Sequence, residues 1–108
     1  MTGYRLHPET YDDLEEIRGY IAADNPDASN RVITEIFDAI RALVSFPHRG
    51  YRRTDLTSRP VRFMRVRDYL IPYAPDEKQL WVIAVMHGHR SPRVMAAVLR
   101  GRQDRPLS

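Results

Sequence analysis

The sequence contains no cysteine, a single lysine, only five glycines and no long apolar run. The lack of cysteine excludes disulfides and thiolate metal sites, and favours the reducing setting of the cytoplasm. No uninterrupted apolar stretch approaches the ~20 residues that a membrane-spanning helix needs. Met1-Thr2-Gly3-Tyr4-Arg5 also lacks the apolar region of a signal peptide. A cytoplasmic domain with no membrane partner is therefore expected. Glycine-rich phosphate loops and the Gly-x-Ser-x-Gly nucleophile turn are absent as well. His87 and His89 lie two apart with no third ligand nearby in sequence, so no metal site is expected, and no cofactor.

What is present is arginine, very unevenly placed. Residues 1–48 hold 4 basic and 9 acidic side chains, and residues 49–67 hold 7 arginines and one aspartate. Of 17 basic side chains all but Lys78 are arginine, whose planar fork suits bidentate contact with phosphate or carboxylate. Such a block reads either as a surface for nucleic acid or an acidic protein segment, or as an ordinary solvated face.

A chain of 108 residues is most simply one domain, here expected over 1–100 with a flexible tail at 101–108. Tyr4–His7 alternates and then meets Pro8, which reads as a short strand running into a helix start. Tyr11, Leu14, Ile17 and Ile21 recur at helical spacing to about Ala23. Asn25 and Pro26 form a cap and first turn for a second helix. That helix carries Val32, Ile33, Ile36, Phe37, Ile40, Leu43 and Val44 on one face and stops near Pro47 and Gly50. So short a break between two amphipathic helices predicts an antiparallel hairpin.

After the loop "YRRTDLTSRP" the period becomes strand-like. It places Val61, Phe63 and Arg65 on one face, and Arg62, Met64 and Val66 on the other. Tight turns at 67–68 and 75–78 link this strand to Tyr69–Ala74 and then Gln79–His87, an antiparallel meander. Pro72 cannot donate to a ladder, so its strand should lie at an edge or carry an irregularity there. A short helix is expected from Ser91-Pro92 to about Leu99. The fold class is thus α+β, in the order β-α-α-β-β-β with a final helix, the hairpin packed on a small, mainly antiparallel sheet.

Metal-free cleavage of a phosphodiester would need a base, an acid and cations for the developing charge. His87 titrates in the useful range, and Arg62, Arg65 and Arg90 could hold phosphate. A second proton-transfer group is not evident: His89, Tyr73 and His48 are candidates. Tyr69, Tyr73 and Trp81 read either as base-stacking rings or as cover for the sheet under the hairpin.

Four stretches, "LHPETYDDLEEIRGYIAADNPDAS", "FPHRGYRRTDL", "YLIPYAPDEKQLW" and "VIAVMHGHR", in this order and spacing resemble toxins of the RelE/ParE superfamily. These are the toxic halves of type II toxin–antitoxin, or plasmid-stabilisation, pairs. The long capped hairpin, "YLIPY" and "VMHGHR" are similar to the ParE branch, and the lysine-rich cationic set of RelE has no counterpart. The resemblance implies a β-α-α-β-β-β core and a cognate antitoxin, commonly a ribbon-helix-helix protein whose C-terminal segment folds onto the toxin. It implies inhibition of DNA gyrase by binding, with His87, His89, Arg90, Arg65 and Arg62 as target-contact candidates and no catalytic residue. Arg52, Arg53, Arg62 and Tyr73 are the antitoxin-contact candidates. The alternative is a RelE-like, ribosome-dependent mRNA endoribonuclease using His87, Arg65, Arg62 and Tyr73. A further alternative is an antitoxin-binding member of the fold without toxicity.

Overall fold

A computed structural model describes residues 3–103. Strand β1 (Tyr4–Leu6) leads into helix α1 (Pro8–Ala22). His7 caps α1 by accepting the Glu9 amide at Nδ1, 3.0 Å, which frees Pro8 to begin the helix where no amide hydrogen is needed. Helix α2 (Pro26–Ser45) starts as the sequence dictates, with the Asn25 side chain accepting the Ala28 amide at 3.1 Å. Asp27 sits in its first turn, where negative charge opposes the positive end of the helix dipole.

The two helices pair as the expected hairpin and cover one face of the sheet. Val32, Ile33, Ile36, Ile40 and Leu43 of α2 are buried, while Phe37 is only partly covered. On α1 the apolar stripe is displaced from the expected one. Tyr11 is exposed and Thr10 is buried in its place, because the Thr10 hydroxyl donates to the Ile83 carbonyl at 2.9 Å.

The sheet is completed by β2 (Tyr51–Arg52), β3 (Arg62–Val66), β4 (Tyr69–Ala74), β5 (Leu80–Val82) and β6 (Met86–His87). Its order is β1-β5-β4-β3-β2, with β6 also paired to β4. All pairings are antiparallel except β1 with β5. The sheet is therefore mixed but mainly antiparallel, in an α+β fold. The two-residue β2 lies inside the stretch expected to be loop; it is too short to show a period.

The expected ninth-decade strand, Gln79–His87, is interrupted. Tyr73 pairs with Val82 and Leu70 with Met86, so three residues, 83–85, stand opposite the two residues 71–72. This is a β-bulge, and it falls where Pro72 has no amide hydrogen to give. Pro72 itself lies in an interior strand, so the irregularity, rather than an edge position, accommodates it. The bulge shows in the packing. Leu80, Val82 and Val85 join the hairpin-side core, whereas Ile83, Ala84 and Met86 join the core of the opposite face.

That second face is covered by helix α3 (Pro92–Gln103) through Met95 and Leu99, together with Leu56 and Val61 from the loop before β3. The helix runs past the expected end near Leu99. Arg102 holds its last turn down by a bidentate pair with Asp13 of α1, at 2.7 and 3.0 Å, and donates to the Ile83 carbonyl at 3.0 Å. Asp13 in turn accepts the Val85 amide at 3.0 Å. Side chains from both helical layers thus satisfy the backbone groups that the bulge takes out of the ladder. The rest of the expected flexible tail, 104–108, lies outside the described residues. No helix among the described residues is long and apolar enough to cross a membrane.

Candidate functional site

The alternation of β3 decides which arginines can act together. Val61 and Phe63 face α3 and Met64 and Val66 face the hairpin, as the sequence predicts. Arg65, paired through Leu70 to Met86, therefore lies on the α3 side. Arg62, paired through Tyr73 to Val82, lies on the hairpin side. The two arginines proposed to share a phosphate sit on opposite faces of the sheet and do not converge.

Arg62 is instead a structural cation. Its Nη1 donates to the Gly50 carbonyl at 2.7 Å. The same loop is tied by Tyr73, whose hydroxyl donates to the Pro47 carbonyl and accepts the Gly50 amide, both at 2.8 Å. The Tyr73 ring is 0% exposed, and its phenol is pushed up from its ordinary pKa chiefly by burial. Tyr73 appears in both the nuclease and the antitoxin sets drawn from sequence. A buried hydroxyl with both hydrogen-bonding roles taken can neither touch a partner nor move a proton to one, so both assignments are corrected.

Of the other antitoxin-contact candidates, Arg52 is exposed on the short strand β2. Arg53 makes a bidentate pair with Asp55 at 2.9 and 2.7 Å. That hydrogen-bonded carboxylate raises the Arg53 pKa, and the guanidinium lowers that of Asp55.

The remaining candidates do come together. The turn after β6 brings His89 back onto His87, with ring centroids 4.7 Å apart and the His89 amide donating to His87 Nδ1 at 3.2 Å. Nδ1 of His87 is thereby engaged by a backbone amide within its own turn. His87 also meets Tyr69 in a T-shaped contact at 5.4 Å. Gly88 donates to the Asp68 carbonyl at 2.7 Å. A Cβ on Gly88 would lie 3.1 Å from that carbonyl and 3.3 Å from Arg65 Nη1. Glycine here lets the Arg65 guanidinium lie across the turn. Arg90 follows, exposed, and Ser91 caps α3 by accepting the Val94 amide at 3.2 Å. His87 pairs with Tyr69 on the hairpin face and Arg65 lies on the α3 face, so Arg65, His87, His89 and Arg90 share the end of the sheet only across the Gly88 turn.

Two features of this tip are missed by sequence reasoning. Arg67, in the β3–β4 turn, has φ 54° and is the one non-glycine residue with positive φ among those described. An L-residue there costs on the order of 1 kcal/mol. Its guanidinium grips Glu35 of α2 with two bonds, 2.7 and 2.8 Å, fixing the turn to the hairpin. The pairing lowers the Glu35 pKa and raises that of Arg67. The only signal in the sequence is a two-residue turn without glycine.

Tyr69, Tyr73 and Trp81 do not form a shared stacking surface. Tyr69 is 8% and Tyr73 0% exposed, and Arg5 lies over the Trp81 ring, 5.3 Å from its centroid. Among the described residues no group of three or more His, Cys, Asp or Glu side chains converges to hold a metal.

The architecture is that of a small α+β domain with a helical hairpin on one sheet face and a single helix on the other. A solved structure from the chromosomal ParDE toxin–antitoxin system of P. aeruginosa has the same fold. It superposes with a TM-score of 0.66 at 15% identity, over 81% of this chain and 96% of that one. The sequence model of the ParE toxin of type II toxin–antitoxin systems, parDE, matches residues 4–92. The chain belongs to that family. Y4kP of Sinorhizobium fredii (strain NBRC 101917 / NGR234), whose name marks it as a candidate toxin, is 34% identical over 90 residues, 76% of this chain and 84% of that one.

Proposed function

We infer that this ParE-family toxin acts by binding rather than by cutting, with DNA gyrase as its target and the sheet tip of Arg65, His87, His89 and Arg90 as the contact surface. The observation that carries the reading is the disposition of the nuclease candidates. Arg62 and Arg65 occupy opposite faces, the Tyr73 hydroxyl is buried in loop contacts, and His87 Nδ1 is occupied by a backbone amide. An acid, a base and cations around one phosphate are what cleavage requires, and these residues do not supply them together. The antitoxin of the pair is proposed to be a ribbon-helix-helix protein whose C-terminal segment folds over the toxin, and the setting the cytoplasm. The two-residue strand β2, at the end of the sheet order, offers that segment Arg52 on the hairpin face and the exposed ring of Tyr51 on the α3 face.

The test is a parallel assay of the purified chain on gyrase supercoiling, on gyrase cleavage complexes and on mRNA in a translation extract. Inhibited supercoiling, relieved by the antitoxin and reduced about tenfold or more by Arg65→Ala with Arg90→Ala, is the expected result. Untouched gyrase together with mRNA cleavage that is lost in His87→Ala would instead establish the endoribonuclease. Unimpaired growth on expression without antitoxin would remove both.

A further inference from the structure

The tip has a chemistry that a protein partner alone does not explain. Two separate parts of the chain supply it: Arg65 from β3, and the continuous stretch 87–93, with His87 in β6, His89 and Arg90 in the following turn and Arg93 in the first turn of α3. Arg90 and Arg93 precede and open a helix whose first turn holds no acidic residue. They add to the positive end of the helix dipole instead of opposing it, an arrangement that self-repels until an anion is present. Arg67 is neutralised by Glu35, so Arg65, Arg90 and Arg93 are the outward cations, with Asp68 the acidic residue of the adjoining turn.

We propose that this tip binds the phosphodiester backbone of duplex DNA. The proposal rests on the binding reading above and gives it a second contact: the toxin touches the DNA on which its target works. Three observations favour a duplex backbone over other polyanions. Among the residues of β3, β4, β6 and α3 at this end, Val94 is the one large apolar side chain that is exposed. Of the exposed rings, Tyr51 lies at the opposite end of β3, where β2 pairs with Arg62 and Phe63, while Tyr11 and Tyr20 belong to α1. The β4 tyrosines are buried, so they offer no platform to unpaired bases, the usual handle on single strands. What is left is arginine and histidine donors, and these serve phosphate oxygens without reading sequence.

Binding of the full chain to a fluorescein-labelled mixed-sequence DNA duplex of about 20 base pairs, followed by anisotropy across a salt series, tests this. Three arginine–phosphate contacts predict a log–log salt slope of roughly −2 to −3. The triple variant Arg65→Ala, Arg90→Ala, Arg93→Ala should weaken binding by about tenfold or more at low salt and flatten that slope. Arg41→Ala on α2, already paired with Asp38, should do neither. The wild-type slope does not depend on any variant folding. Absence of duplex binding at low salt, or binding unchanged in the triple variant, would overturn the proposal. So would stronger competition by polyglutamate than by unlabelled duplex, or tighter binding of single-stranded RNA of the same length. Duplex binding without any effect on gyrase sinks the gyrase reading alone, and gyrase inhibition without duplex binding sinks this proposal alone.

Discussion

Tyr73 shows how one residue can look functional and prove structural. Its hydroxyl joins the Pro47 carbonyl to the Gly50 amide and so closes the loop between α2 and β2. A Cβ on Gly50 would stand 2.6 Å from that hydroxyl and 2.7 Å from the Phe63 carbonyl. Tyr73→Phe leaves a buried amide and carbonyl without this partner, and the expected loss is about 1–3 kcal/mol in chemical denaturation. Gly50→Ala should cost at least as much, about 1–3 kcal/mol or more, since backbone as well as side chain must move. Neither change touches the tip, so duplex binding measured well below the melting temperature should be unaltered. From sequence, Tyr73 is one of two tyrosines on its strand, and nothing in its neighbours distinguishes a surface ring from a buried one. Pro47 and Gly50 read correctly as helix stops; the hydrogen bonds that bring them to Tyr73 span 23 and 26 positions and leave no local pattern.

At the scale of elements, the strongest sequence signals were local. Asn25, Pro26 and the apolar face of α2 define that helix from its own residues. The alternation of β3 likewise separates Arg62 from Arg65 without any tertiary information. The bulge is hidden for the opposite reason. Residues 80–86 are apolar or aromatic throughout, so a skipped alternation leaves no polar residue out of place. The docking of α3 is hidden too, because Arg102 and Asp13 lie 89 positions apart. Their side chains are 12% and 17% exposed, which makes the pair worth more than a surface contact. Arg102→Ala strands the Asp13 carboxylate and removes a donor from the Ile83 carbonyl. It should lower stability by about 2–4 kcal/mol. Hydrogen exchange should locate the added opening at α3 and residues 83–85 rather than in the helical hairpin. Asp13→Asn with Arg102→Ala should cost less than the sum of the two single changes, as shared partners require.

For the molecule as a whole, opposite charges are segregated. The acidic excess lies in the first 48 residues and the arginine block directly after them. Two exposed pairs, Glu35 with Arg67 and Asp55 with Arg53, hold their carboxyls below the ordinary values of 4.5 and 3.8. A depressed carboxyl contributes stability that is present above its unfolded pKa and is lost as pH falls through the folded one. Both carboxyls are solvent-exposed, so screening keeps the contribution small at neutral pH. Glu35→Gln with Asp55→Asn should therefore change the neutral melting temperature little. It should flatten the fall of melting temperature with acidification below about pH 4.5, checked by calorimetry over a pH series. Composition makes the segregation of charge plain. It does not show which arginines are engaged: Arg53 and Arg67 are spent on carboxylates, while Arg65 lies across Gly88.

The bulge at 83–85 has a consequence for reading related chains. Val82 and Val85 face the hairpin and Ile83 and Met86 face α3, so a chain lacking Ala84 would show the same inward and outward order on either side of the gap. Its hydrophobic pattern would look more regular, not less. Yet it would offer neither the displaced Ile83 carbonyl nor the freed Val85 amide, the two groups to which Thr10, Asp13 and Arg102 are tied. One supernumerary alanine is thus the fastening point between the two helical layers, and an insertion or deletion there, invisible to any measure of hydrophobic periodicity, marks where the seating of the last helix diverges.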